Sequence, residues 1–342
     1  MEEKEIRTVK IALLGLGAVG SQLLLMLARN EEELRVKYGI RIMIEKVLVR
    51  DRNKGRKVDV TGLVLTTEPK DILEDESIDI VVECMGGTGA EKARDIILAA
   101  MRSGKAVIMS SKKCLAIYGR EIVNAAARYH CGFRYDACVG GCIPIGSVLR
   151  SMAKGEKIKS IYGIFNATSN YILTRMREEE LSYQEVLKEA REHGFTEEDP
   201  SDDIDGFDTL YKLIILTGFG TGAWPDYKSF AAVPVSTVTR EDIREAENNH
   251  SVIKAIGSIT VKPEGLSCYI GPSRQEKGSL LAGVNSNYNM IFIDTELSGT
   301  RAFYGQGAGA QPTASVIYDD IFSLITGNEM VGAGNYSLPL QQ

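Results

Sequence analysis

The residue types best suited to chemistry cluster in GFTEEDPSDDIDGFDTLYKLIIL, where seven acids fall between Glu197 and Asp208. From Phe207 onward, Leu210, Leu213, Ile214, Ile215 and Leu216 make a helix that is apolar nearly all round, and such a helix is buried. Asp208 and Lys212 stand four apart and so share one face of it. A surface ion pair is the simpler account, but a charged pair on an otherwise apolar helix is more often kept for a site. A lysine that is partly desolvated, or near a second cation such as Lys112, has its pKa lowered toward neutrality, which suits general acid–base work. The run SDDIDG also suggests a calcium loop. With Ser201 in the first place of that loop, the twelfth, which needs a bidentate Glu, is Lys212, so the calcium reading fails.

A second group lies at the other end of the chain. Gly15, Gly17 and Gly20 form GxGxxG directly after the apolar run TVKIALL and at the start of SQLLLMLARN. The first glycine permits a tight turn, the second lets backbone approach a pyrophosphate, and the third allows close helix–strand packing. With Ala18 and Val19 they place free N–H groups and a positive dipole end at the phosphates of a dinucleotide. The strand–turn–helix context favours that reading over a merely structural turn. The second strand, GIRIMIEKVLVRD, ends near Val49. Arg50, Asp51, Arg52, Lys54, Arg56 and Lys57 follow it, where an acid would bind a ribose 2′-hydroxyl and an arginine a 2′-phosphate. The excess of bases tilts the reading toward NADP, or toward use of both cofactors. IDIVVECMGG is a further buried strand with a glycine turn that includes Gly86. AVIMSSKKCLA sets Lys112 and Lys113 at the carboxyl end of another, where ligands bind in open α/β sheets, although surface lysines on a loop would look the same.

The elements that must position these groups alternate strand and helix to about residue 150, each strand a continuous apolar run. This pattern predicts a parallel sheet covered on both faces. Beyond it, KIKSIYGIFNATSNYILTRM reads as strand, turn and helix, and LSYQEVLKEAREHGF as a helix with a glycine stop. Residues from about 250 to 305 are strand-rich, and GQGAGAQPTASVIYDDIFSLITG is a glycine-rich loop entering a helix.

Composition excludes several classes. Of the 342 residues 44% are hydrophobic and 25% charged, and the formal charge is −6. A net-negative chain is poorly suited to nucleic acid and gains nothing at an anionic membrane. No apolar stretch reaches 18 residues, and the polar start MEEKEIRTVK carries no signal-peptide pattern. Cys84, Cys114, Cys131, Cys138, Cys142 and Cys268 lack CxxC spacing and read as reduced thiols of a cytoplasmic protein, with Cys138 and Cys142 as packing residues. Three scattered histidines support neither a His metal site nor a His dyad.

Together the motifs resemble the homoserine dehydrogenase family. VIMSSKKCLA looks like its Thr-Ala-Asn-Lys segment, and DACVGGCIPIGSVL like its Val-Gly-Gly-x-Ile-Pro-Ile segment. GIFNATSNYILTRM is similar to its Asn-Gly-Thr-Thr-Asn-Tyr-Ile-Leu segment. GFTEEDPSDDIDGFDTLYKL is similar to its Glu-x-Asp-Pro and Asp-Gly-x-Asp-x-x-x-Lys pattern. GQGAGAQPTAS is similar to its late glycine run. The chain departs from the family at Ser111, at Ala167 and Ser169, at Asp136, which stands for Glu, and at Cys142.

The resemblance implies an N-terminal Rossmann-type, doubly wound parallel sheet, residues 1–149 and 306–342, with an inserted α+β substrate and dimerisation domain, residues 150–305. It implies reversible hydride transfer between NAD(P) and the pair L-homoserine and L-aspartate 4-semialdehyde, in threonine and methionine biosynthesis. Lys212 would shuttle the proton and Lys112 would help at the reacting oxygen, with Glu197, Asp203 and Asp208 at the substrate. Gly305, Gly307, Gly309 and Pro144 would lie at the cofactor. Asp136, with the carbonyls of Val139, Gly141 and Ile143, would hold sodium, for which hard oxygen ligands are suited. A homodimer through the inserted domain is implied, and no C-terminal regulatory ACT domain. Two other readings stay open: a paralogous dehydrogenase of another amino or hydroxy acid, and a catalytically inactive NAD(P)-binding sensor.

Overall fold

The segment KIALL offers no polar residue between Ile11 and Leu14, so strand β1 (Arg7–Leu14) has no face for solvent. Ile11, Ala12, Leu13 and Leu14 are all 0% exposed. Such a strand must lie inside a sheet covered on both sides. The computed structural model, which describes residues 6–152, 155–192 and 201–327, places it there. Helix α1 (Ala18–Glu33) leads to β2 (Ile40–Leu48) and β3 (Val64–Thr66). Then come α2 (Lys70–Leu73), β4 (Ile80–Glu83), α3 (Ala90–Arg102), β5 (Ala106–Met109), α4 (Lys112–Arg128) and β6 (Phe133–Arg134). The strand order is β3-β2-β1-β4-β5-β6, parallel at every pairing. The order reverses between β1 and β4, and a crevice at that reversal is where doubly wound sheets bind ligands.

The chain divides into two compact units, Met1–Cys138 with Gly309–Gln342, and Val139–Ala308. The sequence reading put these divisions at 149/150 and 305/306. The second unit opens with α5 (Ile145–Met152) and β7 (Ile158–Ile164). Helices α6 (Ala167–Glu178), α7 (Tyr183–Glu192), α8 (Ser201–Ile204), α9 (Phe207–Thr221) and α10 (Arg240–Asn248) follow. Strands β8 (Ser251–Lys262), β9 (Gly265–Glu276), β10 (Tyr288–Thr295) and β11 (Gly299–Gln306) complete an antiparallel sheet of order β11-β10-β7-β8-β9.

Helix α9 starts and stops at glycines in the left-handed region, Gly206 (φ 84) and Gly222 (φ 78). Every residue from Asp208 to Gly218 is buried, as an all-round apolar helix requires. It lies against β8 because Gly257 lacks a side chain: a Cβ there would meet Thr209 Cγ2 at 2.4 Å and Leu213 Cδ1 at 3.0 Å. Finally α11 (Ala310–Thr326) belongs to the first unit, where Ala314, Ile317, Ile321 and Leu324 share a core with Leu23 and Leu27 of α1 and the inner residues of β1.

Candidate active site

In the first unit, three glycines meet three different demands. Gly15 follows β1 with φ 98, and its N–H donates to the Leu48 carbonyl at 2.9 Å. A Cβ on it would lie 2.5 Å from the Cys84 carbonyl oxygen, and a Cβ on Gly20 would lie 2.5 Å from that of Gly15. Gly17 is different, since nothing stands within 4 Å of the Cβ position. It is the N-cap of α1 and offers no side-chain cap, so the first N–H groups of the helix are left for an anion. Ala18 and Val19 are the first residues of α1. Gly86, after β4, also has open space at its Cβ position. The residues present thus fit a bound dinucleotide pyrophosphate.

Arg50 is exposed just beyond β2. In the loop after it the Asp51 carboxylate accepts the Asn53 N–H at 2.8 Å, while the Arg56 guanidinium donates to the carbonyls of Asp51, Arg52 and Lys54. Lys112 is the first residue of α4, just past β5, and Ser111 is its N-cap. This end of the sheet is pinned by Glu83, the last residue of β4 and 0% exposed. Its carboxylate accepts N–H groups from Met85 (2.7 Å), Ser110 (3.2 Å) and Ser111 (2.8 Å). Burial pushes the carboxyl up, and these backbone donors partly offset that shift.

In the second unit, the acid–lysine pair of α9 is real and buried. Lys212 Nζ lies 2.8 Å from Asp208 Oδ2 and donates to the Phe165 carbonyl at 2.6 Å. The side chains are 8% and 1% exposed. Asn166, the N-cap of α6, ties in a second carboxylate: its Nδ2 donates to Asp203 Oδ1 and to Asp208 Oδ2, both at 2.8 Å. Its Oδ1 accepts the Ser169 N–H at 2.7 Å, and Ser169 Oγ donates to the Asp203 carbonyl. Every polar atom of the Asn166 amide is thereby used, which fixes its orientation. Breaking one member of such a buried pair typically costs about 3–5 kcal/mol. Glu197 lies outside the described residues.

Also in this unit, Gly140 and Ile143 form a tight turn in which a Cβ on Gly140 would lie 1.9 Å from the Ile143 carbonyl oxygen. Gly141 has φ 61. Cys142 is exposed rather than packed, and its Sγ accepts the Gln306 N–H at 3.1 Å. Pro144 immediately precedes α5. Gly305 is not in a loop. It pairs with Asn289 inside β11, and its missing side chain leaves room for Cys142 Sγ and Ile143. The glycine-rich turn proper is Gly307 to Gly309, of which Gly309 is the N-cap of α11 in the first unit. Asp136, in the first unit, is 2% exposed, and its N–H donates to Asp320 Oδ2 at 3.2 Å.

The model of the homoserine dehydrogenase family matches residues 144–322, and that of the family's NAD-binding domain matches residues 15–136. A homoserine dehydrogenase of Bacillus subtilis is 34% identical over 334 residues, covering 96% of this chain and 77% of the relative. The chain belongs to the homoserine dehydrogenase family. It is therefore an NAD(P)-dependent oxidoreductase acting on a CH–OH group. The crystal structure of the homoserine dehydrogenase from Thiobacillus denitrificans superposes with a TM-score of 0.87 at 36% identity, covering 93% of this chain and 73% of that one. A hyperthermophilic archaeal homoserine dehydrogenase in complex with NADPH superposes with a TM-score of 0.75 at 25% identity, covering 93% and 97%. Among the described residues no helix is long and apolar enough to cross a membrane, and no group of three or more His, Cys, Asp or Glu could hold a metal ion.

Sequence reasoning missed two buried polar residues, Asn166 in the second unit and Glu83 in the first. Asn166 carried one signal, an Asn before a helix, which reads as an N-cap. Glu83 carried another, a lone acid closing the apolar run IDIVV. Neither signal names the partners.

Proposed function

We propose that this chain catalyses reversible hydride transfer between L-homoserine and L-aspartate 4-semialdehyde, with Lys212 moving the proton of the reacting oxygen. The observation that carries this is the buried Asp208–Lys212 pair, joined to Asp203 through Asn166. The substrate bears an ammonium, a carboxylate and a reacting oxygen. Carboxylates at Asp203 and Asp208, with Glu197, suit the ammonium, and lysines suit the oxygens. The bound nicotinamide supplies or accepts the hydride. In the reducing direction the Lys212 ammonium, held by Asp208 and the Phe165 carbonyl, donates a proton to the developing alkoxide. In the oxidising direction the neutral amine takes that proton back. Lys112, at the start of α4, is the second lysine suited to a substrate oxygen. Holding the substrate in one orientation is the rest of the protein's contribution.

For the cofactor, NADP is the preferred form. The Asp51 carboxylate accepts the Asn53 N–H and Arg56 donates to three carbonyls, while Arg50, Arg52, Lys54 and Lys57 stand exposed after β2, an excess of cations that suits a 2′-phosphate, with Arg50 next to the strand. Sodium, where bound, would be held by Asp136 and the carbonyls of Val139, Gly141 and Ile143. The Ile143 carbonyl accepts one N–H, from Ile145 at 2.8 Å, and has a second lone pair to offer. The test is steady-state kinetics on homoserine with NAD and NADP in parallel, in sodium and in potassium buffer. NADP should give the higher kcat/KM and Arg50→Ala should remove most of that advantage. A clear NAD preference would refute the cofactor reading, and oxidation of other hydroxy amino acids but not homoserine would refute the substrate.

The inserted unit is the dimerising one in this reading. Family membership supports the homodimer, and β11, the edge strand of the antiparallel sheet, carries Tyr304, 55% exposed and stacked on Tyr288 at 5.0 Å. Sedimentation at micromolar concentration should report two chains per particle, and a single chain would end the dimer reading. Six free thiols fit a reducing, cytoplasmic setting.

A further inference from the structure

We propose that Asn289 is a positioning residue: it holds the Phe165 carbonyl where Lys212 donates to it, and position 307 is glycine so that the Asn289 amide keeps its place. The inference rests on the reading that Lys212 moves the proton.

Phe165 sits between the end of β7 and the N-cap of α6, so its carbonyl belongs to neither the sheet nor the helix. That oxygen accepts from two side chains, Lys212 Nζ at 2.6 Å and Asn289 Nδ2 at 2.8 Å. A carbonyl has two lone pairs, and these donors fill both. Lys212 therefore points along the lone pair that Asn289 leaves open. Losing the Asn289 donor frees the Phe165 peptide to rotate, and the Lys212 ammonium follows it.

The backbone around Asn289 is fixed independently. It is the second residue of β10, 0% exposed, and its neighbour Met290 pairs with Ile164 of β7. The preceding loop is anchored by Asn170 Nδ2, whose two N–H groups are shared among the carbonyls of Val284, Ser286 and Tyr288 at 3.1–3.2 Å. The buried Lys254 ammonium also donates to the Val284 carbonyl and to Asn285 Oδ1. Only the side-chain torsions of Asn289 remain to be set.

Two observations show that the amide is kept for its donor. Asn289 Oδ1 is buried and accepts no hydrogen bond among the described residues. The hydrogen bond that this amide makes among the described residues is thus the one its Nδ2 donates to Phe165. In addition, a Cβ on Gly307 would lie 2.3 Å from Cγ, Oδ1 and Nδ2 of Asn289 alike, so Gly307 stands over the middle of the amide plane. Any side chain there would drive the amide off Phe165. One buried amide thus links the glycine-rich turn to the acid–lysine pair.

The test uses Asn289→Leu, Gly307→Ala, the double variant and Lys212→Met, with kcat at saturating cofactor and substrate, the solvent deuterium isotope effect on kcat, and NADPH affinity by fluorescence. Asn289→Leu should lower kcat about 10- to 100-fold and raise the solvent isotope effect, with NADPH affinity within about twofold of native, because a misplaced ammonium slows the proton step and nothing else. Gly307→Ala should lower kcat too, and the double variant should be no slower than Asn289→Leu alone. If Asn289→Leu does not fold, Gly307→Ala on the native background decides, and an unchanged kcat there overturns the inference. Native kcat in Asn289→Leu with loss of kcat in Lys212→Met overturns the role of Asn289 and leaves the proton reading standing. Native kcat in Lys212→Met overturns both.

Discussion

Lys212→Met lowers kcat about 100- to 10,000-fold, the range that one positioned proton-transfer group contributes. Methionine keeps the length and much of the volume of the side chain and removes the proton. The site would otherwise persist, because Asp208 retains its hydrogen bond from Asn166 at 2.8 Å and Asn166 keeps its bond to Asp203. Stability falls as well, since one member of a buried ion pair is gone, and about 3–5 kcal/mol is the usual scale. The measurement must therefore separate an inactive fold from an inactive site. Thermal unfolding makes that separation for the second unit, which holds Lys212, and NADPH affinity reports the first, which holds the glycine turn after β1. Native NADPH affinity with lost turnover is the expected pair of results. Asp208→Asn should give a smaller loss, since it keeps an acceptor oxygen for the ammonium but removes its counter-charge. A Lys212→Met variant within tenfold of native kcat would reject the proton role, and an inactive sensor would show that indifference.

How much of this was legible in advance depended on whether the signal was local. The Asp208–Lys212 pair could be read because both charges sit one helical turn apart on a segment otherwise made of Leu and Ile, and only burial satisfies such a segment. The GxGxxG turn could be read because its neighbours on both sides announce strand and helix. Asn166 could not, because its partners Asp203 and Asp208 are 37 and 42 residues away, and separation of that size carries no periodicity. Asn289 is further still, 124 residues from Phe165. Gly305 misled in the opposite direction. Glycine-rich composition reads as loop, yet this glycine lies in a strand and is small because Cys142 and Ile143 crowd it. Local rules found the elements and the pair, and only the tertiary structure showed which side chains hold that pair in place.

The same distinction between local strain and open space yields the other large effect. Gly15→Ala should lose both stability and cofactor binding, whereas Gly17→Ala should lose cofactor binding alone. At Gly15 an alanine meets two penalties together. Its φ of 98 is poorly open to a residue with a Cβ, and that Cβ would sit 2.5 Å from the Cys84 carbonyl oxygen and 2.9 Å from the carbonyl carbon. Backbone atoms at the end of β4 cannot swing aside as a flexible side chain would. Strain plus overpacking amounts to about 2–5 kcal/mol, which lowers the melting temperature by roughly 5–15 °C in a unit of this size. Gly17 has φ −86 and nothing within 4 Å of its Cβ position, so alanine fits the protein without strain. The methyl would stand instead in the space the pyrophosphate needs, directly before the free N–H groups of α1. Thermal unfolding without cofactor, followed by NADPH titration of both variants, checks the pair. Equal loss of stability in the two would show that the space at Gly17 is not open. Native affinity in Gly17→Ala would show that the phosphates approach elsewhere.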